Sequence, residues 1–106
     1  MIAAMSLIRR LDGITQAAFR RHWLDVHGPM VCTFDGLRSY LQCHPIDSPA
    51  MNARARGMRI DGFPVLYFDN HAERAKTRGS PALAACDVDS RPVSYTHLRA
   101  HETRED

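Results

Sequence analysis

The sequence predicts a small α+β domain in which an amphipathic, histidine-bearing helix packs on an antiparallel sheet. Three observations carry that reading. Phe19, Trp23, Val26 and Met30 recur at spacings of four, three and four, which is one stripe of a 3.6-residue period. Leu37 to His44 alternates in chemistry from one residue to the next, as a strand with two different faces must. Asp12-Gly13, Asp61-Gly62 and Gly79-Ser80-Pro81 are turn signals that divide the chain into elements of the right length.

Taken in order, Ile2 to Arg9 reads as a first strand, a short apolar run stopped by Arg9-Arg10 and the Asp12-Gly13 turn. A helix follows, with Thr15 as N-cap and Ile14 and Phe19 placed to pack across its first turn. At about 100° per residue, His22 falls on one flank of the apolar stripe and His27 on the other. Gly28-Pro29 then kinks or restarts the helix, because proline disfavours helical geometry in the residue before it.

The strand over Leu37 to His44 separates Leu37, Ser39, Leu41 and Cys43, expected under the helix, from Arg38, Tyr40, Gln42 and His44. The second set presents a phenol, an amide and an imidazole in a row, as a polar-lined cavity or a wet interface requires. Pro45 to Arg59 has no clear periodicity and reads as a long connection with one short helix. Phe63 to Asp69 is a further strand, with Pro64 arguing for an edge or a strand start. Asn70 with Glu73 three residues on resembles a capping box for a second helix running to Arg78 and broken at Gly79-Ser80-Pro81. Strand, helix, strand, strand, helix is a split βαβ plan of ferredoxin-like type, with two main helices on one sheet face and a final strand missing or replaced.

Composition narrows the function. With 106 residues there is room for one domain, burying about 60 to 65% of its unfolded surface. Apolar residues at 44% and charged residues at 25% describe a folded globular chain. A net charge of +2, from 14 basic and 12 acidic residues scattered along the chain, offers no field to hold a phosphate backbone, so nucleic acid is not an expected partner. Arg54, Arg56 and Arg59 form the densest basic cluster, but without interleaved aromatics they read as a solvated loop before an anion site. Cys32, Cys43 and Cys86 have neither zinc-site spacing nor the density of a disulfide framework, which fits a reducing cytoplasm. No apolar run approaches the roughly 18 residues needed to cross a bilayer. A soluble protein without membrane partners is expected.

The run Phe19-Arg20-Arg21-His22-Trp23-Leu24-Asp25-Val26-His27-Gly28-Pro29-Met30-Val31 resembles the characteristic helix of the EthD family, named for ethyl tert-butyl ether degradation. Gly36 to His44 resembles that family's second strand, and Asp61-Gly62 with Tyr67-Phe68-Asp69 its third. The resemblance implies a dimeric α+β barrel, a homodimer whose sheets pack face to face and whose cavities lie between sheet and helices. It also implies relatives that include cofactor-independent oxygenases, polyketide dehydratases and cyclases, and purely auxiliary proteins. Where the family often carries an acidic residue and a tryptophan on the cavity face of the third strand, this chain has Val65 and Tyr67. Residues from Val93 to Thr103 resemble a peptide that recurs when sequencing adapters are translated as coding sequence. The expected organisation is therefore an EthD-like domain over 1–93 and a non-native tail over 94–106.

Each candidate site residue carries two readings. His27 borders the apolar stripe before a helix break and is the candidate for general acid, base or hydrogen-bond chemistry; alternatively its ring satisfies backbone groups at the helix end. Tyr40 and His44, on one strand face, bind two ends of a ligand or line a dimer interface. Trp23 is a core residue or a ligand platform, Tyr67 a further ligand contact, and His22 a satisfied flank residue. Asp61 and Asp69 begin and end a strand. No metal site is expected, since His22 and His27 are five apart, about 140° around an α-helix. His97 and His101 have a spacing of four but lie in the tail. No phosphate-cradling loop, nucleophile elbow or dinucleotide fingerprint occurs.

Two functions follow as expectations. One is a cofactor-independent oxidoreductase or lyase acting on a small aromatic or polyketide-like molecule, with His27 as proton-transfer group and Trp23, Tyr40, His44 and Tyr67 around the substrate. The other is a non-catalytic accessory or binding protein of a degradative oxygenase system.

Overall fold

A computed structural model describes residues 1–45, 60–96 and 101–104, with 95–96 and 101–104 described as backbone. The long connection with its expected short helix, and the Arg54, Arg56 and Arg59 cluster, lie outside the described residues.

The N-terminal apolar run is not one strand but two, β1 (Ile2–Met5) and β2 (Ile8–Arg10), which join different sheets. The principal sheet is four-stranded and antiparallel, ordered β3 (Leu37–Cys43), β4 (Phe63–Phe68), β1, β6 (His101–Arg104). The second is a ribbon of β2 with β5 (Ser94–Thr96). The edge where a final strand was expected to be missing or replaced is thus filled by residues from the segment read as a tail. Backbone pairing explains how: an open edge offers N–H and C=O groups that any extended segment can satisfy, whatever its side chains.

Helix α1 (Gln16–His22) begins where the sequence says it must, with the Ala18 N–H donating to Thr15 Oγ1 at 3.1 Å. Ile14 packs on the cluster of Ile8, Phe19 and Trp23, closing the first turn over the sheet. A single π-helical turn (Trp23–His27) and the short α2 (Gly28–Val31) continue the same run. Past β4, Asn70 caps α3 (His71–Arg78) by accepting from the Glu73 N–H at 2.9 Å. Gly79 ends α3 as expected, but Ser80-Pro81 then starts an unforeseen helix, α4 (Pro81–Ser90), with Ser80 accepting from the Leu83 N–H at 3.2 Å.

The helices cover the sheet face that carries Ile2, Ala4, Leu66 and Phe68. Register places Tyr40 beside Leu66 and Gln42 beside Pro64 on that same face. The expected assignment of the two faces of β3 is therefore inverted: Tyr40, Gln42 and His44 lie under the helices, and Leu41, 51% exposed, faces away. An irregularity between Leu37 and Ser39 shifts the register and reconciles this with Leu37, which still packs among Ile2, Phe68, Val31 and Phe34. Alternation alone fixes which residues share a face, not which face is covered.

Candidate functional site

The site begins with a proline. Pro29 has no N–H to give the carbonyl of Asp25, and in α-helical register its ring would crowd that carbonyl. The chain answers by widening one turn, so that the Gly28 N–H bonds to the Trp23 carbonyl five residues back, and α-helical bonding resumes with Cys32 N–H to Gly28 carbonyl at 3.1 Å. A π turn closes its backbone bonds over five residues instead of four, which brings side chains at that spacing nearer to one another around the axis than an α-helix does. His22 and His27, expected on opposite flanks, consequently converge, and Val26, expected on the apolar stripe, is turned outward at 45% exposure.

The group on which they converge is Asp89, in the last turn of α4. Asp89 Oδ2 lies 2.9 Å from His22 Nε2 and 3.1 Å from His27 Nδ1. A carboxylate can only accept, so each of those nitrogens carries its ring's hydrogen. In the neutral ring this makes Nε2 of His27 the acceptor, held in one tautomer and one orientation by the carboxylate behind it. Nothing in the sequence reading pointed to Asp89, because the helix that carries it was missed. The signal was Ser80-Pro81, an N-cap followed by proline at the first helical position, which was read as a break and not as a start.

A second set of contacts ties β3 to the π turn. Gln42 Nε2 donates to the Trp23 carbonyl at 2.8 Å and to the Tyr40 hydroxyl at 2.9 Å, while its Oε1 accepts from His44 Nε2 at 3.0 Å. Gly28 permits this approach, since a Cβ there would sit 3.0 Å from Gln42 Nε2 and 3.2 Å from the Trp23 carbonyl. With its oxygen already accepting from Gln42, Tyr40 has its own proton left to donate. Burial raises the Tyr40 pKa, only partly offset by the side-chain hydrogen bonds with Gln42 and Trp23, so the phenol stays protonated. The His44 ring lies 4.5 Å from that of Trp23; burial and the Arg20 guanidinium lower its pKa and favour the neutral ring.

Between this cluster and the sheet lies a cavity of about 210 Å³. His22, His27, Trp23 and Tyr40 line it, with apolar wall from residues such as Phe34 and Leu66. His27, Trp23 and Tyr40 thus line one cavity. His44 stands one step back, reaching the cavity through Gln42 and the Trp23 ring. Tyr67 is a correction: in register with Ala3 and Ser39, it lies on the opposite sheet face and does not line the cavity. Val65 shares that far face, so the absence of an acid there does not bear on this cavity, which takes its carboxylate from α4. Asp61 stands two residues before β4, held by the Arg10 N–H at 2.9 Å and the Arg10 guanidinium at 2.8 Å. Cys86 also lines the cavity; burial pushes its thiol up to about 11, with Asp89 and Asp87 adding to the effect, so it stays protonated near neutrality. Among the described residues, no three His, Cys, Asp or Glu side chains group as metal ligands, and no helix is long and apolar enough to cross a membrane.

Comparison with known proteins agrees with this architecture. An ethyl tert-butyl ether degradation (EthD) family protein from Bacillus halodurans superposes with a TM-score of 0.71 at 15% identity, covering 100% of both chains. HapK from Hahella chejuensis gives a TM-score of 0.73 at 10% identity, covering 99% of this chain and 92% of its own. At such identities the likeness is one of fold. No curated protein matches the sequence. The EthD domain profile matches residues 11–92, from the turn before α1 to the end of α4, and the chain therefore belongs to the EthD family.

Proposed function

We propose that the protein binds a small, largely apolar, oxygen-bearing molecule in the cavity between helices and sheet, and that His27 exchanges a proton with it. The observation that carries this reading is the bond from His27 Nδ1 to Asp89, which leaves Nε2 as the base on a cavity wall. In the forward step an acidic hydrogen of the ligand passes to Nε2, its bonding electron pair stays on the ligand, and Asp89 stabilises the imidazolium. Tyr40, a neutral phenol with a free proton, supports the oxygen on which charge develops. Trp23 forms apolar wall, and His44 holds Gln42, which in turn holds Tyr40. No cofactor enters this scheme.

The sheet face turned away from the helices supports a homodimer. Leu41 at 51% and Phe63 at 37% exposure lie there with Tyr67, an apolar surface suited to a second copy, as the family resemblance implies. Three free thiols fit a cytoplasmic setting.

The test is a thermal-shift screen of small oxygenated compounds, followed by proton NMR of the hits in deuterium oxide with catalytic amounts of protein. Loss of an exchangeable carbon-bound signal is expected with the natural chain, slowed by about 10² or more in His27→Gln. Equal exchange in both, or no compound bound, would overturn the reading.

A further inference from the structure

The hydrogen-bond bookkeeping of the cavity says what its ligand must look like. Gln42 spends both amide protons, one on the Trp23 carbonyl and one on the Tyr40 oxygen, so Tyr40 meets a ligand as a donor. Asp89 takes the Nδ1 hydrogen of His27, so the neutral ring meets a ligand as an acceptor. A complementary ligand therefore offers an acceptor to Tyr40 and a hydrogen to His27. A hydroxyl group supplies both from a single oxygen.

Size and lining supply the rest. A dry cavity of about 150 Å³ walled by aliphatic and aromatic side chains accommodates benzene. The hollow here, at about 210 Å³, has room for one such ring and a few substituent atoms, and falls short of the roughly 300 Å³ at which drug-sized sites begin. Trp23 and Phe34 give aromatic surface for the faces and edges of a planar ring. We infer that the cavity is built for a monocyclic phenol whose hydroxyl accepts from Tyr40 and donates to Nε2 of His27. This rests on the binding half of the proposed function and narrows it to a chemical class.

Trp23, the single tryptophan of the chain, sits on the cavity wall and reports occupancy by its emission. The full-length protein is titrated with phenol, with anisole, which keeps the ring and oxygen but has no hydrogen to give, with benzene, and with a fused three-ring phenol. Phenol is expected to bind about tenfold more tightly than anisole or benzene, the worth of one or two neutral hydrogen bonds, and the three-ring compound not at all. Tyr40→Phe and Asp89→Asn should each bring phenol down to the level of anisole while leaving benzene unchanged. Equal affinity for phenol and anisole overturns the hydroxyl requirement, and tight binding of the three-ring phenol overturns the size limit. If a variant fails to fold, the comparison on the natural chain decides alone. Should other oxygenated compounds bind and exchange while phenols do not, this inference fails and the proposed function stands; if nothing binds, both fail.

Discussion

Residues 15–22 and 23–31 form one uninterrupted helical run, yet they obey different rules. The first half has a side-chain cap at Thr15, α-helical bonding throughout, and Phe19 buried where a 3.6-residue period puts it. The second half passes through a π turn, loses the period, and turns Val26 out while drawing His22 and His27 onto one carboxylate. The first half is shaped by burial and holds the domain together. The second departs from regularity where the chemistry-bearing groups gather, as π turns often do.

The sharpest way to break that comparison is to strike each half at its centre. Phe19, 2% exposed against Ile8, Trp23 and Ile14, belongs wholly to the core. Phe19→Ala should cost about 3–5 kcal/mol in denaturant unfolding, a large share of what a small domain has. Asp89→Asn keeps the shape but turns one carboxylate oxygen into a donor, so His27 can hold its hydrogen on the other nitrogen. Proton exchange with a bound ligand should fall by about 10² or more with stability changed by under about 1 kcal/mol. A loss of exchange explained entirely by unfolding would erase the distinction between the halves.

How much was legible follows the same division. Caps and turns were readable because they are local: Thr15, Asn70 and the Asp12-Gly13 turn act through neighbours three residues away, whereas Asp61-Gly62 makes no turn and bonds instead to Ile8 and Arg10 across the fold. The fold class was readable because periodicity records which residues share a face. What sequence could not settle was long-range. The covered face of β3 depends on what packs against it, and the convergence of His22 with His27 depends on a widened turn plus a carboxylate more than sixty residues away. Pro29 was visible, but a missing N–H can produce a kink, a stop or a π turn, and only packing chooses among them.

Smaller effects sharpen the picture. Thr15→Ala removes the acceptor for the Ala18 N–H and should cost about 1 kcal/mol in stability without touching ligand exchange. Acid should act on the site side. The folded state lowers the His44 pKa below its ordinary 6.5, so an unfolded chain takes up that proton more readily. The contribution is fully present above about pH 6.5 and lost as pH falls through the folded value. At the alkaline end, Cys86 is raised from 9.0 to about 11, so its contribution holds below pH 9.0 and is lost as pH climbs towards 11. Thermal melts across the range should show both slopes, with His44→Gln flattening the acidic one.

The smallest effect is the most discriminating. A regular α-helix puts Val26 on the apolar stripe with Phe19 and Trp23, and Val26→Ala would then leave a small cavity and cost about 1 kcal/mol or more. The π turn instead puts Val26 at 45% exposure, where trimming two methyl groups should change stability by under about 0.5 kcal/mol, with alanine's helix propensity favouring the variant. Chemical denaturation resolves that difference. A clear loss would mean that residues 23–27 are α-helical, which would separate His22 from His27 by about 140° and take one of them off Asp89.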